Sequence, residues 1–223
     1  MTLPTDDPDC DAEGFVLAGG QSSRMGHDKA LVAFAGQPLI VHALGILSAS
    51  GLKVSIAGAR SGLASFAPVV EDLASQTGLG PLAGICSALA SSTTSLSVFI
   101  PVDLPLLPSS LIAYLLHHAT ITGAIITVPS INGFAQTFPA VIHRSALPIL
   151  QSQLESGDRG CFSAFKMTEA SLNQRVAVLP IEALIQSCQI SHPEGIPAAL
   201  WFLNVNSKHD LLRAEALSPA RFR

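Results

Sequence analysis

Short apolar runs alternate along most of this chain with longer stretches whose apolar residues recur every three or four positions. Runs of the first kind predict buried strands, and the second pattern predicts helices with one apolar stripe. Strands are expected at residues 15–17, 54–57, 69–70, 96–101, 124–128, 140–142, 176–179 and 200–205. Pro38 opens a first helix, in which Leu39, Ile40, Ala43, Leu44 and Leu47 share a face, with Gly51 just beyond its end. Further helices are expected from Pro81 to about residue 90, from Pro108 to about residue 118, and over 145–155, 161–170 and 207–217. His117 and His118 suit the end of the helix that opens at Pro108, where the helix dipole favours a cation. Asn132-Gly133 makes a turn between the strands at 124–128 and 140–142, and Pro105 and Pro108 stop any regular continuation after residue 101. Such alternation builds βαβ units, so the expected class is α/β with a mainly parallel central sheet. From 181 to 199 Ser, Pro and Gly interrupt every period, which leaves either a flexible insert or a cover over a substrate.

Composition narrows the class. Apolar residues make up 48% of the 223 and charged residues only 13%, as expected of one sizeable core rich in buried strand. Residues 13–223 read as a single domain, and 1–12, acidic and Pro-containing, as a disordered leader. That leader is the opposite of a secretory signal, and no apolar run approaches the ~18 residues of a membrane span. A cytoplasmic protein without a membrane partner is expected. The formal charge is −4 with no basic cluster, so a nucleic-acid partner is not expected, and any anionic ligand must be gripped locally. Cys10, Cys86, Cys161 and Cys188 show no C-x-x-C spacing and read as plain thiols in a reducing compartment.

The chemistry concentrates after the first strand. Residues 15–29 read Phe-Val-Leu-Ala-Gly-Gly-Gln-Ser-Ser-Arg-Met-Gly-His-Asp-Lys. Glycines let backbone N–H groups approach a polyphosphate, and Arg24 and Lys29 supply a planar fork and a mobile point charge. None of the four lysines follows a glycine, which excludes a P-loop, and the first loop lacks the dinucleotide fingerprint. A loose relative of it at Gly78-Leu79-Gly80-Pro81-Leu82-Ala83-Gly84 has the wrong spacing. Two more polar motifs, Asp103 and Asn204-Val205-Asn206, fall at or near the ends of predicted strands. In an open parallel sheet the ligand crevice lies beyond those carboxyl ends. A nucleoside triphosphate site is therefore expected there.

The pattern L-A-G-G-x-S-S-R-M-G-x-D-K resembles the signature of the molybdenum cofactor guanylyltransferases, within the GT-A-like nucleotidyltransferases. The resemblance implies a three-layer Rossmann-like fold and transfer of GMP from GTP to molybdenum cofactor phosphate, with Mg²⁺ as cofactor. It implies that Leu17, Ala18, Gly19, Gly20, Ser22, Ser23 and Arg24 cradle the triphosphate, with Arg24 and Lys29 offsetting its charge. Pro101-Val102-Asp103-Leu104-Pro105 matches the family's P-x-D-x-P segment and makes Asp103 the metal carboxylate. Asn204 and Asn206, in the counterpart of the N-V-N ending, become candidates for metal or acceptor. Asp72, with Gly80 in the turn that follows, is expected to meet the nucleotide, its carboxylate accepting from guanine. Asp28 is expected to orient Lys29, and Asp210 to sit in the first turn of the closing helix with Ser207 as its cap. Partners implied are GTP and the cofactor as small-molecule substrates, with transient contact to molybdoenzymes or cofactor-delivery proteins.

Departures keep alternatives open. Ala57 stands where the family commonly has asparagine, Phe138-Pro139 replaces a substrate-side His-Pro or Gln-Pro, and Gly157-Asp158-Arg159-Gly160 matches G-x-R-R only in part. A cytidylyltransferase on the same cofactor and a sugar-1-phosphate transferase remain as rivals. So does a non-catalytic nucleotide-binding module.

Overall fold

A computed structural model describes residues 11–19, 28–58, 61–72 and 76–218. In chain order its strands are β1 (Ala12–Leu17), β2 (Ala33–Phe34), β3 (Gln37–Pro38), β4 (Lys53–Ala57), β5 (Val69–Val70), β6 (Leu96–Pro101), β7 (Ile126–Ile131), β8 (Phe134–Ala135), β9 (Ala140–His143) and β10 (Val176–Pro180). The helices are α1 (Leu39–Ser48), α2 (Pro81–Ser91), α3 (Ser109–Thr122), α4 (Leu147–Glu155), α5 (Cys161–Leu172), α6 (Ile181–Gln186) and α7 (Lys208–Leu217).

The central sheet runs β10-β7-β9-β6-β1-β4-β5, with β8 hairpinned onto β7. Every pairing on the path is parallel except those of β9, which lies antiparallel between β6 and β7. Period-two alternation distributes the strand side chains between two cores. Val16, Ile56, Val98, Ile100 and Val141 face one core, and Phe15, Leu17, Phe99, Ile126 and Ile142 the other. The first core is covered by α1, α3, α6 and α7, and the second by α2, α4 and α5. This is the expected three-layer α/β arrangement. Phe15 and Phe99, in register on adjacent strands, stack with centroids 5.5 Å apart.

Local chemistry accounts for most element boundaries. The predicted face of α1 is the buried one, and Gly51 follows the helix at φ +79°. Asn132 and Gly133, both at positive φ, turn β7 into β8. Three expectations need correction. α3 continues past His118 to Thr122, because the stop signal is Gly123 in the left-handed conformation rather than the histidine pair. Residues 33–38 form an unpredicted hairpin whose turn places Ala35 at φ +47° beside Gly36. Residues 200–205 are not a strand.

The 181–205 stretch is instead a packed strap. It starts as α6, whose Glu182 Oε1 accepts from Asn132 N–H at 2.5 Å, and later makes a 3₁₀ turn over Ala198–Leu200. Ile181, Ile190, Ile196, Trp201 and Val205 are buried in the first core. The indole N–H of Trp201 donates to the Ile196 carbonyl at 2.7 Å, which satisfies the one polar atom of that ring inside the core. Since the strap is held by these apolar anchors, Trp201→Ala should lower the unfolding free energy by about 3–5 kcal/mol in urea denaturation, the usual cost of truncating a buried aromatic.

Candidate active site

Hydrogen bonding continues past the strand ends and aligns three loops at one sheet edge. Ala18 N–H donates to Ala57 O at 3.1 Å, Val102 N–H to Leu17 O at 3.2 Å, and Gly58 N–H to Val70 O at 3.1 Å. The chain at Gly19 therefore lies directly against Gly58. A Cβ built on Gly19 would stand 2.6 Å from the Gly58 carbonyl oxygen, a backbone atom that cannot yield as a side chain would. Gly58 itself has φ +70°. The Asp72 carboxylate lies beside it, Oδ1 being 3.4 Å from where a Gly58 Cβ would be. Burial holds the Asp72 carboxyl above its ordinary range, and Oδ1 is buried without a partner among the described residues. Gly80 follows on the same side, at φ +93°, and delivers Pro81 as the first residue of α2.

Lys29, Asp103 and Asn206 come together from segments 74 and 177 residues from the lysine. Lys29 Nζ donates to Asp103 Oδ2 at 2.6 Å and to Asn206 Oδ1 at 2.5 Å. Lysine and aspartate side chains are only 18% and 20% exposed, so this ion pair is partly desolvated. Lys29 starts a 3₁₀ turn capped by Asp28, whose Oδ1 accepts from Ala30 N–H at 3.0 Å. Asp28 thus sets the backbone from which the lysine projects. Asp103 opens the segment after β6, and its carbonyl accepts from Val205 N–H at 3.0 Å, which brings the strap's end to this edge. Asp210 fixes Asn206 in turn: its Oδ2 accepts from Asn206 N–H at 3.1 Å and from Ser207 Oγ–H at 2.8 Å. Ser207 caps α7 by accepting from Asp210 N–H, as expected, and its hydroxyl is the main cause of the depressed Asp210 carboxyl.

One carboxylate and one amide oxygen thus converge on a cationic point, and Asp103 Oδ1 is left buried without a partner among the described residues. Hard oxygen donors with an unused carboxylate oxygen fit a hard divalent cation, and Mg²⁺ asks for only one or two carboxylates. Asn204, by contrast, is exposed and makes no side-chain hydrogen bond among the described residues. With residues 200–205 out of the sheet, it does not share a strand face with Asn206. Gly20, Ser22, Ser23 and Arg24 lie outside the described residues. Gly58 is not among the residues the motifs single out; its one legible signal is a glycine ending the β4 run. Ala57 is fully buried and engages Ala18 through its carbonyl, so no side chain from that position reaches ligand. At the acceptor-side departures, Gln136 turns its amide to the Phe134 carbonyl at 3.1 Å, and Asp158 caps the start of α5 through Gly160 and Ser163.

Residues 14–174 match the family model described as the MobA-like NTP transferase domain. A molybdenum cofactor guanylyltransferase of Vibrio cholerae is 32% identical over 98% of both chains, and so includes the counterpart of the Asn206 segment. One from Vibrio atlanticus is 34% identical over 74% of this chain and 84% of its own. Among solved structures, molybdopterin-guanine dinucleotide biosynthesis protein A of Archaeoglobus fulgidus superposes with a TM-score of 0.73 at 23% identity, covering 92% of this chain and 97% of its own. The 2-C-methyl-D-erythritol 4-phosphate cytidylyltransferase of Thermus thermophilus shares the fold at a TM-score of 0.64 and 17% identity. Enzymes of this family typically need a divalent metal. The family match over residues 14–174, with a 32% identical relative spanning 98% of both chains, makes this chain a member of the MobA-like NTP transferase family.

Proposed function

We propose that this chain transfers GMP from GTP to the phosphate of molybdenum cofactor, releasing pyrophosphate and forming molybdopterin guanine dinucleotide, with Mg²⁺ as the metal. The observation that carries the site assignment is the meeting of Lys29, Asp103 and Asn206 beside the Gly19–Gly58 contact. The names of the full-length relatives support the choice of GTP and of the acceptor. The same reading places the enzyme in the cytoplasm and gives it molybdoenzymes or delivery proteins as transient partners. Among the described residues no helix is long and apolar enough to cross a membrane.

Nucleotidyl transfer is an in-line attack on the α-phosphorus, and the protein contributes position and charge. Gly19 lets the triphosphate lie against backbone, and the family resemblance gives Gly20, Ser22, Ser23 and Arg24 of the same loop to its phosphates. Lys29 neutralises phosphate oxygens. Asp72 accepts from the guanine edge, which satisfies an oxygen that has no partner among the described residues. Asp103 and Asn206 hold the metal, which when bound offsets the charge that grows on the triphosphate. Asn204, exposed near the same edge, is left to the acceptor.

Pyrophosphate release from Mg-GTP, Mg-CTP, Mg-UTP and Mg-ATP with molybdenum cofactor as acceptor tests the reaction: GTP should be preferred, and preference for CTP would replace this reading with the cytidylyl one. Asp103→Ala and Lys29→Ala should each lower turnover by at least ~100-fold, the scale of a lost electrostatic group. Gly19→Ala should weaken GTP binding by roughly 10–100-fold in fluorescence titration, since the new Cβ must displace backbone. For Asp72 the raised folded pKa means its stabilising contribution is full below the unfolded value and is lost as pH rises through the folded one. Asp72→Asn should therefore raise Tm at neutral pH, with the gap closing toward about pH 3, while GTP binding at neutral pH weakens.

A further inference from the structure

Lys29 Nζ lies at the point where the oxygen donors of the proposed metal site converge, 2.6 Å from Asp103 Oδ2 and 2.5 Å from Asn206 Oδ1. Mg²⁺ would need the same two oxygens at ~2.0–2.1 Å. An ammonium group and a divalent cation cannot share that point, for both sterics and charge oppose it. We propose that Lys29 is the resident cation of the nucleotide-free site, and that divalent metal gains Asp103 and Asn206 only when a nucleoside triphosphate draws the lysine away. The inference rests on Asp103 being the metal's carboxylate, and adds to it a second role for Lys29, exclusion of metal from the empty enzyme.

The local structure suits such an exchange. The backbone beneath the lysine is pinned by Asp28, through Ala30 N–H to its carboxylate and Leu31 N–H to its carbonyl, so an exchange needs only rotation about the bonds of the four-carbon stem. Without a phosphate to receive it, a displaced ammonium would lose two charge-assisted hydrogen bonds in a partly desolvated site. With a triphosphate in place that cost disappears. The lysine satisfies only one Asp103 oxygen and leaves Oδ1 without a partner among the described residues, whereas a metal ion and its water ligands can serve both. Metal and nucleotide therefore bind cooperatively, each strengthening the other by the same factor.

Mn²⁺ is the probe, with bound ion measured by electron paramagnetic resonance on the nucleotide-free protein and again with GTP. Lys29→Met and Lys29→Gln should each bind Mn²⁺ at least about tenfold more tightly than wild type without nucleotide, within the usual range of coupling factors. The gain should persist in 0.5 M KCl, where screening confines long-range repulsion to roughly 4 Å. GTP should strengthen Mn²⁺ binding far more in wild type than in either variant. Equal or weaker Mn²⁺ binding by both variants, or a gain that vanishes in high salt, overturns the proposal. Asp103→Asn separates the two levels. If that variant holds Mn²⁺ with GTP as strongly as wild type does, Asp103 is not the metal's carboxylate, and both readings fall. If it loses that binding while the Lys29 variants bind no tighter, the metal site stands and the exchange alone is wrong.

Discussion

Asp103 is held in two directions at once, and the site depends on that. Its carbonyl accepts from Val205 N–H and its carboxylate from Lys29, so one residue joins the C-terminal strap and the first-loop lysine at the carboxyl edge of the sheet. The lysine tie depends on the parallel pairing of β1 with β6, which sets the Asp103 segment beside the loop that leaves Leu17. The strap in turn needs its buried anchors, Trp201 above all, to reach Asp103 in a fixed register. A requirement of core packing thus becomes a requirement of site geometry.

Much of this was legible in residue order, because local signals and burial agree. Pro38, the spacing of Leu39 to Leu47 and Gly51 all point to one helix, and the apolar run at 96–101 marks a central strand on any reading. The failures share a cause: tertiary contacts decided what local pattern could not. Residues 200–205 carry the Leu-Trp-Phe-Leu run of a strand, yet Trp201 is claimed by the core and the backbone turns at Leu200, with Leu203 N–H donating to Leu200 O. The hairpin at 33–38 was hidden because its turn puts alanine, a residue that seldom adopts positive φ, at Ala35. Its register is supported from afar by Glu215, whose carboxylate accepts from Ala35 N–H.

The same division holds for the site. Lys29, Asp103 and Asn206 could each be singled out by motif, but their meeting at hydrogen-bond distance across 177 residues could not. Gly58 was invisible because its importance lies in what would collide with it: only the folded chain reveals that Gly19 and Gly58 pack backbone to backbone. Asp72 was chosen as a nucleotide contact, and its environment adds the physical reason such a residue is available. It is a buried acceptor without a partner among the described residues, a cost to stability that a ligand bearing donors would relieve.

Asn206 shows why the second oxygen at the cationic point is an amide. A carboxylate there would stand near Asp103 across Lys29 and next to Asp210, whose Oδ2 already accepts the Asn206 N–H. Two carboxylates on one ammonium, with Asp210 behind the second, would repel one another and raise one another's pKa, so that one would tend to take up a proton. An asparagine supplies an oxygen without a charge. It leaves Asp103 as the one negative charge on that ammonium among the described residues, and on the proposed exchange the weaker net attraction makes the lysine easier to release.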